Sequence, residues 1–274
     1  MSEERLLPDL DFAAIDFGAL EGEDLSHWIA VLPLGATEQH GPHLPVETDT
    51  LIAGGISARL SKKVSGKLPV TFLPVQEIGY SPEHMDYPGS KSLTYDEAIE
   101  KWTAIGGMLA KRGICKLLLL NAHGGNSPLM TIVATELRVH KQMLCVATSW
   151  TRFGYPQSVI GPQDAALDIH AGLIETSLML ALHPNKVSME KAQHFSSRQA
   201  HFISQNRHLA AYGKHAFGWK MQDLNPLGAT GDAASATAEK GQKLLDHAVC
   251  SLADLLADID RFDLSEFERQ PDVQ

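Results

Sequence analysis

The sequence is poor in sulfur and in positive charge. Its 274 residues include three cysteines, Cys115, Cys145 and Cys250, far apart and set among aliphatic residues. With no CxxC pair, neither a disulfide framework nor a thiolate zinc site is expected, and the thiols read as buried and unreactive. Lys and Arg number 23 against 33 Asp and Glu, a formal charge of −10, which argues against general affinity for nucleic-acid phosphate or anionic membrane. No stretch approaches 18 consecutive apolar residues, so no bilayer-spanning helix is expected. The N-terminal MSEERLLPDLDF is acidic and lacks the apolar core of a secretory signal. A cytoplasmic protein acting on a small molecule, with no nucleic-acid or membrane partner, is the expectation.

Several mechanistic motifs are missing as well. No GxxxxGK[ST] phosphate loop occurs, no GxGxxG follows the first strand, and no HExxH is present. Gly125-Asn-Ser127-Pro-Leu129 fails the GxSxG nucleophile elbow at its last position. A nucleotide-dependent oxidoreductase and a serine hydrolase are therefore disfavoured. What the chain does have is 13 histidines beside its 33 carboxylates, a surplus of nitrogen and oxygen ligands.

Short aliphatic runs alternate with amphipathic segments. Strands are expected at Ile29–Leu34, Val70–Val75, Lys116–Leu120 and Met143–Ser149, with Pro33 placing the first near an edge or strand end. Helices are expected from about Thr50 to Lys63, from the Thr94–Glu97 capping box to Gly113, after Pro128, and over Ala171–His183. A long final helix would be capped by Asp232 and run to about Ile259. Residues 190–228 read as loops and short helices over a site or at a subunit contact, and loops 77–90 and 151–168 would shape the pocket. Continuous aliphatic strands separated by helices point to an α/β fold, one domain over 1–274, with a mainly parallel sheet flanked by helices on both faces.

Three polar clusters follow expected strands or open helices. The first holds Glu38, His40 and Asp49, the second Asn121, His123 and Asn126, the third Asp168, His170 and Glu175. Taken singly, each residue reads as a turn or cap. His170 and Glu175 converge only if His170 lies outside the helix. Together, Glu38, His40, Asp49, His123 and Glu175 form a sulfur-free donor set suited to Zn²⁺, Mn²⁺ or Fe²⁺, sufficient for two ions if one carboxylate is shared. Trp150 and Trp219 read as core residues or as a substrate wall.

LPLGATEQHGPHLPVETDT, NAHGGNS, HAGLIETS and GATGDAASATAEKG, with YSPEHMDYPGSKSL, resemble the motifs of the creatininase (creatinine amidohydrolase) family, in order over about residues 29–250. The resemblance implies a dinuclear metal centre, hydrolysis of non-peptide C–N bonds by a metal-activated water, and a homohexamer. It makes Asp49 the bridging carboxylate, puts Glu38 and His123 on one ion and His40 on the other, and gives proton transfer to His170. Creatininases proper carry His-x-Glu where this chain has His123-Gly124-Gly125. Branches with NAHGGN, similar to formamidopyrimidine deformylases and the peptide-trimming member of mycofactocin maturation, use a downstream Glu, which here is Glu175, counted with His170 among the catalytic residues. His84, Asn121 and Asn126 are the expected substrate contacts. Creatinine hydrolysis proper and a non-catalytic, metal-stabilised scaffold are the competing readings.

Overall fold

A computed structural model describes residues 24–268; the N-terminal segment discussed above lies outside them. Strand β1 (Ile29–Leu34) is buried at every position. It leads through the polar loop to helix α1 (Thr48–Val64), strand β2 (Val70–Phe72), helix α2 (Tyr95–Lys111) and strand β3 (Lys116–Asn121). Helix α3 (Ser127–Lys141) and strand β4 (Leu144–Ser149) follow. Then come the short helix α4 (Pro162–Ala165), helix α5 (Leu173–Leu182), strand β5 (His194–Phe195) and helix α6 (Gln199–Gln205). Helix α7 (Met221–Leu224), strand β6 (Gly231–Asp232) and helix α8 (Ala238–Arg261) complete the order.

The main sheet runs β2-β1-β3-β4 and is wholly parallel, as the strand–helix alternation implied. Helices α1, α5 and α8 cover one face and α2 and α3 the other. The two apolar layers divide accordingly: Val31 and Leu118 pack with α8 residues such as Leu252, whereas Leu32 and Leu119 pack with Trp102 and Leu137. Such alternation along a strand buried on both faces requires apolar side chains at successive positions, hence IAVLPL and KLLLL. β1 connects to β2 on one side and β3 lies on the other. The crevice at the carboxyl ends of β1 and β3 is therefore a topological switch point, where open α/β sheets bind ligands.

Several local expectations change. Pro33 lies one residue from the end of β1, as one of its two expected placements has it, although the strand itself is interior and not at an edge. β2 pairs only with Ile29–Val31, so its ladder has ended where the missing Pro33 N–H would be needed, and the Pro33 carbonyl still accepts from Gln76. Thr237, not Asp232, caps α8: its hydroxyl accepts the Lys240 N–H at 3.1 Å, while Asp232 belongs to the small antiparallel β5–β6 pair. α5 begins two residues late because Ala171 adopts φ +52°, leaving His170 outside the helix. The cysteines are less hidden than expected. Cys115 and Cys145 are half-buried and Cys250 is exposed; burial pushes the Cys145 thiol up to about 12. The Thr94–Glu97 capping box forms as read. Trp150 is buried in the α8-side core, and Trp219 packs in a small cluster with Phe202 and Phe217. No helix among the described residues is long and apolar enough to cross a membrane.

α5 and α8 approach so closely that a Cβ on Gly241 would fall 1.8 Å from the Ser177 carbonyl oxygen. Gly241→Ala is expected to cost at least ~1–3 kcal/mol through overpacking. Gly107→Ala, whose Cβ would meet Lys141 at an ordinary 3.6 Å, should gain roughly 0.5–1 kcal/mol in helix propensity. Urea denaturation of both variants checks the opposite signs.

Candidate metal centre

The loop after β1 carries Glu38 and His40 to the switch point, and the first turn of α1 adds Asp49. All three are no more than 1 % exposed. His123 enters from the loop after β3, and His170 and Glu175 from the turn opening α5. Asp49 is central. Its Oδ1 lies 3.2 Å from His40 Nε2 and its Oδ2 3.3 Å from His123 Nδ1. On the His123 side, Glu38 Oε1 is 3.2 Å from the same Nδ1; on the His40 side, Glu175 Oε2 is 3.8 Å from Nε2. The five residues expected from sequence to hold metal are thus brought together.

Backbone groups set the rings. His40 Nδ1 bonds the Glu38 carbonyl at 2.8 Å, His123 Nε2 the Tyr80 carbonyl at 2.9 Å and His170 Nε2 the Gln39 carbonyl at 2.6 Å. A carbonyl only accepts, so each bonded nitrogen carries the proton. The free edges of His40 and His123 then face the carboxylates. His170 turns Nδ1 toward Glu38 Oε1 at 3.6 Å and stacks its ring 4.2 Å from His40 and 4.3 Å from His84. His84 sits 3.5 Å from Glu38 through Nε2, and its Nδ1 has no partner.

The remaining expected contacts are placed differently. Asn121 donates to Ser149 Oγ at 3.1 Å and to the His123 carbonyl, and accepts the His123 N–H at 3.1 Å. Asn126 donates to the Gly35 carbonyl and to Asn121 Oδ1, both at 3.1 Å, and accepts the Tyr80 N–H at 2.9 Å. Both hydrogens of each buried amide are committed. These two side chains, expected to touch substrate, instead hold the loops that carry His123 and Tyr80. Two residues absent from the sequence expectation join the site. Ser81 donates to Glu38 Oε2, and Glu83 lies 3.6 Å from His123 Nε2. The SPEH segment contained the signal, since a Glu beside a site histidine sits on the same turn.

The electrostatics describe a cavity built for cations. Burial disfavours charge on His40, but Asp49, Glu175 and Glu38 outweigh it and lift the imidazole to about 10. His123 is raised well above its ordinary value, burial again being overcome by Glu38 and Asp49. Burial would raise Glu38, but His123, His84 and His170 hold its carboxyl well below the usual range. Burial, with Asp49 and Glu38 nearby, lifts Glu175 to about 7 despite the opposing His40. His170 goes the other way: burial, followed by the neighbouring His40 and His84 rings, holds it well below its ordinary value. Asp49 Oδ2 is buried without a hydrogen-bond partner. An orphaned carboxylate oxygen among nitrogen and oxygen donors fits a divalent ion of the Zn²⁺, Mn²⁺ or Fe²⁺ class. Glu38–His40–His170, Glu38–Glu83–His123 and His40–Asp49–Glu175 each bring their donor atoms within 4.8 Å of one another.

The family model for creatininase, creatinine amidohydrolase, matches residues 17–256. The chain belongs to the creatininase family. It is 30 % identical over 230 residues to the mycofactocin precursor peptide peptidase of Mycobacterium ulcerans, covering 82 % of this chain and 83 % of that one. Over 105 residues, 38 % of this chain and 40 % of the relative, it is 38 % identical to a 2-amino-5-formylamino-6-ribosylaminopyrimidin-4(3H)-one 5′-monophosphate deformylase of Methanothermus fervidus. A crystal structure of creatinine amidohydrolase superposes with a TM-score of 0.70 over 96 % of this chain and all of its own, at 24 % identity, which shows the shared fold. The protein is a creatininase-family amidohydrolase.

Because Asn126 links three segments around the site, Asn126→Ala should expose the Tyr80 N–H and Gly35 C=O to burial without partners. A loss of about 1–3 kcal/mol is expected, read by chemical denaturation of the metal-free protein.

Proposed function

We propose that this creatininase-family enzyme hydrolyses the C–N bond of a small amide, formamide or cyclic amide, using two divalent ions held by Glu38, His40, Asp49, His123 and Glu175. One observation carries the reading: the single buried carboxylate of Asp49 presents one oxygen to each of two histidines. When bound, such an ion pair lowers the pKa of a water and polarises a carbonyl. The chain's own residues supply the rest. Glu38, Asp49 and Glu175 bring three negative charges to balance the cations. Glu175 also accepts the Ala171 N–H at 2.6 Å, which locks its carboxylate toward His40. His170, with its proton fixed on Nε2 by the Gln39 carbonyl and held neutral by its surroundings, offers a free Nδ1 to the cavity. That nitrogen takes a proton from the attacking water and returns it to the departing nitrogen. His84, buried with its ring 4.3 Å from that of His170, keeps that ring in place.

The deformylase relative supports a formamide as substrate, and Gly125 in place of the acid of His-x-Glu weighs against creatinine. The peptidase relatives support a second reading, hydrolysis of a terminal peptide bond in a short peptide. A homohexamer accompanies the proposal on the strength of the family motifs.

Metal analysis of reconstituted protein should find close to two ions per chain. Asp49→Ala should lose both ions and all activity, whereas His170→Asn should keep the ions and lose about 10²–10⁴-fold in kcat. A screen of creatinine, formylated aminopyrimidines, small lactams and short peptides assigns the substrate class. Full metal occupancy with no turnover of any of these would return the chain to the scaffold reading.

A further inference from the structure

Glu83 is not accounted for by the five-ligand set. It lies in the single turn Pro82–His84, and its neighbours on both sides serve the same half of the centre: Ser81 donates to Glu38 and His84 faces Glu38 Oε1. Its own carboxylate stands against the Nε2 edge of His123. With 16 % of its side chain exposed, it is far more open than Glu38 or Asp49.

The placement of this turn depends on position 125. A Cβ there would fall 2.3 Å from the Tyr80 carbonyl, 2.5 Å from His123 Nε2 and 2.8 Å from Glu83 Oε1. No side chain fits at 125 while the Tyr80–His84 segment is closed against His123. The space beside the histidine that a side chain at 125 would enter is filled by a carboxylate from another loop. The turn is fastened on both sides: Tyr80 N–H bonds Asn126, Ser81 N–H bonds Ser92 Oγ, and Asp86 pairs with Lys220 at 2.7 Å.

We propose that Glu83 is a positioning residue of the His123 half of the centre. Its carboxylate stands 3.6 Å from the Nε2 whose proton the Tyr80 carbonyl accepts, where its negative charge reinforces the orientation that carbonyl sets, with Nδ1 turned to Glu38 and Asp49, and makes Nδ1 a stronger donor. A carboxylate behind a ligating imidazole orients it and raises its basicity, and losing one commonly weakens metal affinity 10–100-fold. Gly125 and Glu83 form one device, the glycine making room for the acid.

This inference rests on the two-ion reading of the site, and the test separates the two. Metal-free wild type, Glu83→Gln and Glu83→Ala are titrated calorimetrically with Zn²⁺ alone, and the Co²⁺-loaded forms are compared by visible absorption. Both variants are expected to bind one of two ions about 10–100-fold more weakly, to leave the other ion's affinity unchanged, and to shift the Co²⁺ bands. The melting temperature of the metal-free protein should not move, which excludes a general loss of folding. Two ions bound at wild-type affinity with unchanged Co²⁺ bands in both variants would overturn the role of Glu83 alone. A wild type that binds no ion would overturn the two-ion reading and this proposal with it.

Discussion

The placement of one buried carboxylate governs this molecule. Asp49 lies in the first turn of α1 with both oxygens withdrawn from water, between two imidazoles whose other nitrogens are tied to backbone carbonyls. A carboxylate with an orphaned oxygen is costly in a protein interior unless positive charge is supplied. In the ion-free site the supply comes from protons: His40 is lifted to about 10 and His123 well above its ordinary value. In the proposed two-ion reading, the two sides of Asp49 that face these imidazoles are where the cations would sit. Ligation requires neutral imidazole, so a bound ion would take the place of these protons in neutralising the carboxylates.

The fold makes this arrangement attainable by bringing three loops to one crevice. Because the chain leaves β1 in one direction and returns to β3 on its other side, the loops after these strands open at the same place without a helix crossing it. α5 then aims its first turn at the crevice from one face. The loops are rigid because their polar groups bind each other. Asn121 and Asn126 form a buried amide pair joining Gly35, Tyr80 and His123, which ties together the loop after β1, the Tyr80–His84 segment and the loop after β3. The amides next to the site histidine are therefore part of the frame, and the pocket's chemistry belongs to the histidines and acids in front of them.

The sheet, its parallel order and the convergence of Glu38, His40, Asp49, His123 and Glu175 were legible because each depends on short-range signals: aliphatic runs of strand length, and donor residues clustered within short polar segments. The structure departs from the sequence pattern where two local rules are satisfied equally well or where a distant partner decides. Asp232 and Thr237 are both good caps, and only the two-residue β5–β6 pairing removes Asp232 from the helix. Pro33 obeys the rule against proline in a hydrogen-bonded strand, yet the rule concerns one side of one residue, and the early end of β2 is invisible from IAVLPL. Asn121 and Asn126 looked like substrate contacts because side-chain type does not reveal which way a loop carbonyl points. Glu83 was missed because its meaning lies in the empty position 125, forty-two residues away.

The turn before α5 shows how much of the chemistry is carried by backbone geometry. Ala171 takes a left-handed conformation, φ +52°, that costs a non-glycine residue of order 1 kcal/mol. A relaxed backbone there would extend α5 backwards and swing His170 about 140° away from Glu175 around the helix, on the 100° per residue of α-helical geometry. Three residues hold the strained turn instead, through four hydrogen bonds. Asp168 accepts the Leu173 and Ile174 N–H groups at 2.7 and 3.2 Å, Thr230 donates its N–H to the His170 carbonyl at 2.8 Å, and Glu175 accepts from Ala171 itself. The last of these couples the strain to the site, because the amide that the left-handed turn exposes is the one that fixes the Glu175 carboxylate. A regular helix start would satisfy that amide or aim that carboxylate, but it would not place His170 and Glu175 on either side of His40. The irregular backbone is thus what allows one short segment to bring both an imidazole and a carboxylate to His40.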